Sequence, residues 1–103
     1  MKKFILFVGL NDKDTKKQKI STKKAINIIV STIQANHLQG CTISQSIGFY
    51  THTNNTMVVE KSLKVEIFTS NLKAIKSLIS TLKTLLNQES IIYQSEQINS
   101  KVA

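Results

Sequence analysis

The chain has 103 residues, with fourteen lysines, no arginine and six acidic residues, and its formal net charge is +8. This length suits one domain, and 41% hydrophobic residues with only 6% aromatic residues predict an aliphatic core. No apolar run approaches the ~20 residues that span a bilayer, and the single cysteine, Cys41, cannot form an internal disulfide. The composition excludes a membrane-spanning chain and a disulfide-stabilised secreted domain, and predicts one cytoplasmic domain over residues 1–103.

The positive charge is concentrated near the N terminus. Eight of the fourteen lysines and two aspartates fall within residues 1–24, which gives that segment a net charge of +6. Sequence-specific recognition of nucleic acid usually depends on arginine, whose planar guanidinium makes bidentate contacts that lysine cannot make. AT-rich codon usage explains part of the lysine content, but it does not explain the cluster within residues 13–24.

The first part of the chain predicts a strand, a polar loop and a helix. Residues 4–10 form a nearly continuous apolar run of strand length. Residues 11–19 are polar and predict a loop. Ser21 or Thr22 then caps a helix, whose apolar residues follow helical spacing to about Asn36.

The middle of the chain alternates apolar and polar residues and predicts a long β-hairpin around Asn54 and Asn55. A two-residue turn would place apolar residues opposite polar ones, because a slip of one residue moves every side chain to the other face. A loop of odd length, with Ile47 opposite Leu63, avoids this, and the alternative is a bulge, for which Gly48 is the candidate. The arms are longer than a helix of this protein, so the hairpin tip should extend beyond the body.

The last part of the chain predicts a second helix and a final strand. Ser70 or Asn71 caps a helix whose apolar residues keep to one face as far as Leu86, and residues 90–94 predict the strand. The element order is that of a ferredoxin-like βαββαβ sandwich of the α+β class. Such a fold has a four-stranded antiparallel sheet with two helices on one face, here with a long hairpin between the second and third strands.

One face of such a sheet has no helix to cover it. Residues 4–8 are apolar on both faces of the first predicted strand, and Val58 and Phe68 add apolar side chains to the uncovered face. An exposed apolar sheet face in a small protein is usually an interface. We therefore expect a homodimer or homotrimer assembled through the sheets or the hairpin. The alternative is a monomer that leaves these side chains at the surface.

Four segments of the sequence carry a resemblance: FVGLNDKDTKKQ (7–18), GCTISQSIGFYTH (40–52), MVVEKSLKVEI (57–67) and LNQESI (86–91). Together they resemble a group of small proteins encoded by phages and mobile elements of low-GC bacteria. That group has no assigned chemistry, so the resemblance implies a bacterial host cell and no particular reaction. The element order is more distantly similar to the PII and CutA proteins, which are ferredoxin-like trimers. PII binds nucleotides between subunits, but its long flexible loop is replaced here by a tight hairpin.

The polar loop of residues 11–18 is the first candidate site. Unpaired N–H groups and the dipole at a helix N terminus favour phosphate, and lysines add positive charge. The alternative is a solvated loop in which Asp12 and Asp14 neutralise neighbouring lysines. Gln88, Glu89 and Tyr93, at the beginning of the last strand, are expected near this loop's end of the sheet. The candidate ligand-binding residues of the loop are Asn11, Lys13, Thr15, Lys16 and Lys17.

The polar face of the hairpin is the second candidate site. The predicted register places Tyr50 opposite Glu60, with His52 on the same face near the tip. These three side chains could recognise a base or transfer protons, although a cross-strand pair that solubilises the sheet is the commoner explanation. His37, Cys41 and His52 share no metal-ligand spacing, so neither a metal nor another cofactor is predicted.

These features favour a small oligomeric binding module without enzymatic activity that captures an anionic ligand such as a nucleotide. In a phage setting such a module would be an accessory or anti-defence protein. Two alternatives remain. One is nonspecific nucleic-acid binding, which the missing arginine and the few aromatic residues disfavour. The other is inhibition of a partner protein through the hairpin. No membrane partner is predicted.

Overall fold

The computed structural model describes residues 1–51 and 54–99. Its four strands form one sheet in the order β2-β3-β1-β4, and every neighbouring pair is antiparallel. Together with the two helices this arrangement confirms the predicted ferredoxin-like βαββαβ sandwich. The elements in chain order are β1 (Lys2–Gly9), α1 (Thr22–Ala35), β2 (Thr42–Thr51), β3 (Met57–Thr69), α2 (Leu72–Leu85) and β4 (Ile92–Gln97).

Polar side chains define where both helices begin. The Ser21 hydroxyl accepts a hydrogen bond from the backbone N–H of Lys24 at 3.2 Å, and the Asn71 side chain accepts one from Ala74 at 3.0 Å. Each bond satisfies an N–H group that the helix itself leaves unpaired. Neither helix has an acidic residue in its first turn.

The core lies between the helices and one face of the sheet. The central strand β1 contributes Phe4, Leu6 and Val8, which are almost completely buried, and both helices contribute aliphatic side chains such as Ile29 and Leu78. Each such side chain contributes about 1.5–3 kcal/mol by leaving water. The core is therefore mainly aliphatic, as the composition predicts.

The hairpin has a different register from the predicted one. Thr51 pairs with Met57 and Ile47 pairs with Lys61, so the predicted pairing of Ile47 with Leu63 is wrong by two residues. The shift is even, so every side chain keeps its predicted face, and the connection of residues 52–56 has the expected odd length. Gly48 lies in a continuous ladder, so the hairpin has the predicted odd-length loop and not the alternative, a bulge at Gly48.

The register error has a physical reason. The prediction maximised apolar pairs, but this part of the hairpin extends past the helices, where Ile47 is 72% exposed and gains little from an apolar neighbour. A hydrogen bond of 2.7 Å between the Ser46 and Ser62 hydroxyls joins the two strands instead. The last strand also lies further along than the predicted 90–94, because its exposed residues carry no apolar pattern.

Apolar side chains remain exposed in two places. We call Ile47, Phe49, Met57 and Val59 the hairpin patch; they are between 58% and 74% exposed and lie on the helix-facing side of the hairpin. We call the side of the sheet opposite the helices the open face; Phe7, Phe68 and Ile92 are exposed there. No helix in the described part of the chain is long and apolar enough to cross a membrane.

Candidate functional site

The loop between β1 and α1 is folded around the Asp12 side chain. Asp12 is only 7% exposed. One of its oxygens accepts the backbone N–H groups of Asp14 and Thr15, each at 3.0 Å, and the other accepts the Asn87 amide at 2.7 Å. A β-bridge between Asn11 and Gln18 closes the loop. Asp12 therefore holds the loop through N–H donors, in contrast to the alternative in which it only neutralises lysines.

These hydrogen bonds change the acidity of Asp12. The Asn87 amide, followed by the Thr15 N–H, lowers the pKa of this carboxyl from 3.8 to about 2. Both donors stabilise the charged form. A carboxylate with a lowered pKa stabilises the folded state fully above its ordinary pKa, and that stabilisation is lost as the pH falls toward the folded-state value.

The loop is therefore expected to make the protein acid-sensitive. Replacing Asp12 with asparagine should lower the melting temperature at pH 7, and the difference from wild type should shrink between about pH 4 and pH 2. Thermal unfolding across that range measures the effect. Glu89→Gln alters an exposed carboxylate that forms no ion pair within the described residues and is the control. A difference in melting temperature between wild type and Asp12→Asn that is the same at pH 7 and at pH 2 would contradict this role.

The end of α2 fixes the same loop from the other side. The Asn87 carbonyl accepts the N–H of Lys13 at 3.0 Å, and the Gln88 side chain donates to the Asn11 carbonyl at 2.7 Å. Asn87 adopts a positive φ of 48°, a conformation that asparagine tolerates better than most residues. Residues far apart in sequence thus hold the loop in one shape.

Glu60 reaches this loop from β3, across the end of β1. Its carboxylate accepts the backbone N–H of Asn11 at 2.8 Å. It passes directly over Gly9, where a Cβ atom would lie 2.6 Å from a Glu60 oxygen. Gly9 therefore leaves the space that the half-buried carboxylate occupies.

Filling that space should displace Glu60. In Gly9→Ala the carboxylate has to move, so the Asn11 amide is expected to exchange its hydrogen faster and the free energy of unfolding to fall by about 1 kcal/mol. Hydrogen exchange and urea unfolding check both effects. Gly40→Ala is the matched control, because its Cβ would meet nothing within 4 Å. Unchanged exchange at Asn11 would show that the contact with Glu60 does not depend on Gly9.

A groove runs along this end of the sheet, and we call it the Glu60 groove. Its polar part has a volume of about 410 Å³ and continues into a part of about 420 Å³ that is lined more by apolar atoms. Both parts share Glu60, Gln88 and Ser90. The polar part is lined by Asn11, Asp12, Lys13, Lys16, Glu60, Gln88, Glu89 and Ser90. The apolar part is lined by Phe7, Gly9, Gly48, Phe49, Glu60, Ser62, Gln88, Ser90 and Ile92.

The structure brings some of the predicted loop residues together. Asn11, Lys13 and Lys16 line the Glu60 groove, whereas Thr15 and Lys17 do not. The Thr15 hydroxyl donates to Asp12 at 3.3 Å. The groove lies at the end of β1 rather than at the N terminus of α1, where the Ser21 hydroxyl already caps the helix.

The second predicted group is rearranged. Glu60 lines the groove, but it pairs with Gly48, so the predicted pairing of Tyr50 with Glu60 is wrong. The backbone of Tyr50 pairs with Val58, and His52 lies outside the described residues. Within residues 1–51 and 54–99 there is no group of three or more His, Cys, Asp or Glu side chains suited to a metal ion.

The fold matches solved structures of a phage enzyme. The complex of a phage SAM lyase with S-methyl-5′-thioadenosine has a TM-score of 0.75 at 18% identity, over 93% of this chain and 80% of the lyase. The apo state of a phage SAM lyase has a TM-score of 0.76 at 20% identity, over 92% of this chain and 78% of that chain. No protein-family profile and no curated protein matches this sequence.

The expected architectural likeness to CutA is also found. The periplasmic divalent cation tolerance protein CutA from Archaeoglobus fulgidus has a TM-score of 0.68 at 10% identity, over 99% of this chain and 88% of that protein. At such identities both likenesses establish the shared fold. The prediction that the protein is not an enzyme is wrong, however: it rested on the missing catalytic motifs, and the fold neighbours include a lyase, which is an enzyme.

Proposed function

We propose that this protein binds S-adenosylmethionine in the Glu60 groove and cleaves it to S-methyl-5′-thioadenosine. The observation that carries the proposal is the presence of both charge signs in the polar part of the groove. Glu60 and Glu89 contribute carboxylates, and Lys13 and Lys16 contribute ammonium groups. S-adenosylmethionine carries a positive sulfonium, a positive ammonium and a carboxylate. A ligand with several phosphates would instead be repelled by the two carboxylates of the groove. The likeness to the lyase bound to S-methyl-5′-thioadenosine supports this choice.

The apolar part of the groove suits the uncharged half of the same ligand. Phe7 and Ile92 line it together with Gly48, which leaves the sheet surface without side-chain bulk and has open space above it. A purine ring binds well to such a surface, because a flat apolar wall allows stacking and dispersion contacts. The adenosine would therefore lie over the open face, with the amino-acid chain in the polar part.

The chemistry of a sulfonium needs few protein groups. The bond between sulfur and the γ-carbon of the amino-acid chain breaks, and its electron pair stays on sulfur, which leaves as a neutral thioether without a proton. The substrate's own carboxylate oxygen attacks the γ-carbon and closes a five-membered lactone. Two opposite charges disappear in this step, so a weakly polar surface such as Phe7 favours it.

Glu60 is assigned to the substrate ammonium group. A carboxylate beside the sulfonium would stabilise the ground state more than the transition state, because the charge on sulfur is lost as the bond breaks. The ammonium keeps its charge throughout, so a contact there positions the chain for ring closure without opposing the reaction. Lys13 and Lys16 are exposed and attract the substrate carboxylate on entry.

The direct test is incubation of the purified protein with S-adenosylmethionine, followed by mass spectrometry. The proposal expects formation of S-methyl-5′-thioadenosine and of homoserine lactone in equal amounts. Lys13→Gln/Lys16→Gln should raise KM more than it lowers kcat. Absence of both products and of any binding of S-adenosylmethionine by calorimetry would overturn the proposal. Binding of ADP or ATP alone would instead favour capture of an anionic nucleotide, which Lys13 and Lys16 also suit.

We also propose that the chain forms a homodimer or homotrimer through the hairpin patch. Small monomers rarely expose contiguous apolar patches larger than a few hundred Å². Phe49→Asp is therefore expected to shift the molecular mass in light scattering toward the monomer. Ser44→Asp changes the open face of the same strand and is the control. A monomeric wild-type protein would contradict the proposal.

A further inference from the structure

The charges of this protein are divided between its two layers. Neither α1 nor α2 contains an acidic residue, and together they carry five lysines, all exposed. The sheet holds its glutamates on the open face, where Glu66 and Glu96 form ion pairs with Lys3, and Glu66 also pairs with Lys64. Within the described residues no lysine of either helix forms such a pair. The helix lysines are Lys23, Lys24, Lys73, Lys76 and Lys83.

This arrangement costs helix stability. Lys73 and Lys76 lie three residues apart on one helix face, where like charges repel. Lys23, Lys24 and Lys73 lie in first turns, where the helix dipole disfavours cations. A polyanion bound at Lys76 would relieve the repulsion from Lys73, whereas Lys83 lies in the last turn of α2, where the dipole favours a cation.

One groove of this layer combines lysines with an aromatic ring. It lies between α2 and the edge strand β4 and has a volume of about 430 Å³. Tyr93 is 40% exposed there, and its ring is held by a tilted contact with Phe4 at a centroid distance of 6.5 Å. We call this the α2 groove; it is lined by Lys76, Ile79, Ser80, Lys83, Thr84 and Tyr93.

We infer that the α2 groove binds single-stranded nucleic acid, with phosphates against Lys76 and Lys83 and one base stacked on Tyr93. Lysines attract phosphates of any sequence, and an exposed aromatic ring accepts any unstacked base. A duplex does not offer a free base face to the ring. The absence of arginine, which was expected to disfavour nucleic-acid binding in general, disfavours only the reading of base edges, and stacking with point-charge contacts does not require that reading. The α2 groove lies on the side opposite the Glu60 groove, so this inference is independent of the proposed function.

The test is fluorescence anisotropy of a labelled 12-nucleotide single strand, titrated with the full-length protein from about 50 to 200 mM salt. Affinity should fall steeply with salt. Because each neutralised phosphate contributes about 0.7 to the slope of log K against log salt, Lys76→Gln/Lys83→Gln should reduce that slope by about 1.4. Tyr93→Leu should weaken binding roughly 5- to 100-fold, and Tyr93→Phe should restore it. Lys3→Gln/Lys64→Gln changes two lysines of the open face and should leave affinity unchanged.

Several outcomes would overturn the inference. A salt slope that is the same in wild type and Lys76→Gln/Lys83→Gln would place the phosphates elsewhere. Equal affinity of Tyr93→Leu and Tyr93→Phe, with both variants melting as wild type does, would exclude stacking on the ring. Competition by AMP as strong as by the unlabelled single strand would show a mononucleotide site. Equally strong competition by a duplex of the same length would show a duplex site, and by polyglutamate a surface for acidic proteins.

Discussion

Glu60→Gln is expected to lower the rate of S-adenosylmethionine cleavage by about 100-fold, because a charged contact to the substrate is lost in a partly buried site. The amide has the shape of the carboxylate, and its oxygen can still accept the Asn11 N–H. The loop and the groove should therefore keep their structure, so the loss reports on the charge. Binding of S-methyl-5′-thioadenosine should change little, since this product has no ammonium group.

The assay compares the rate of S-adenosylmethionine cleavage and the affinity for S-methyl-5′-thioadenosine in wild type, Glu60→Gln and Glu66→Gln. Glu66→Gln is the matched control, because Glu66 lies on the same face of β3 but pairs with Lys3 and does not line the groove. It should keep wild-type turnover. A Glu60→Gln variant that melts normally and keeps full turnover would remove Glu60 from the substrate contact. Equal losses of turnover and of product affinity would indicate a damaged groove instead.

The fold could be predicted because its signals are local. Apolar residues at helical spacing and the alternation in the hairpin indicate each element without knowledge of the others. The hairpin register is not local in this sense. Apolar pairing predicts Ile47 opposite Leu63, but Ile47 lies beyond the helices. No buried core therefore stabilises that pair. The alternation of apolar and polar residues predicts strand register reliably only where one face of the strand is buried.

The groove could be predicted only in part. The lysines of the loop are visible in the sequence, but its shape depends on Asn87, which lies 75 residues from Asp12 in the chain. The Glu60 carboxylate lies directly over Gly9, and a glycine at the end of a strand gives no sign of a carboxylate above it. Contacts between distant residues are set by the packed fold, and a single sequence does not reveal them.

The prediction of a protein without enzymatic activity is contradicted by the fold likeness to a lyase, and the proposed reaction would explain why no sequence motif indicated it. It treated the absence of a nucleophile–base pair and of metal ligands as absence of catalysis. A sulfonium substrate brings its own leaving group and, in its carboxylate, its own nucleophile. Positioning and a weakly polar surface suffice for such a reaction. Motif searches detect catalysis by protein functional groups, so they miss an active site that mainly orients its substrate.

Leu78→Ala is expected to lower the free energy of unfolding by about 2–5 kcal/mol, the largest stability effect among these variants. Leu78 is completely buried in the face of α2 that packs on the sheet. Removing three carbons leaves a cavity there, and the close-packed side chains of the surrounding core fill it only in part.

Urea unfolding at several protein concentrations measures this loss and separates it from any change in assembly. Ser77→Ala is the control, because this exposed neighbour on α2 should change stability by less than about 0.5 kcal/mol. Since Asn87 follows directly after the C-cap of α2, loosening the helix should release the loop around Asp12 before global unfolding. Faster hydrogen exchange at Thr15 and Asp14 would show that coupling, because their N–H groups bond to Asp12. A loss below about 1 kcal/mol would mean that the helix layer contributes less to stability than its burial indicates.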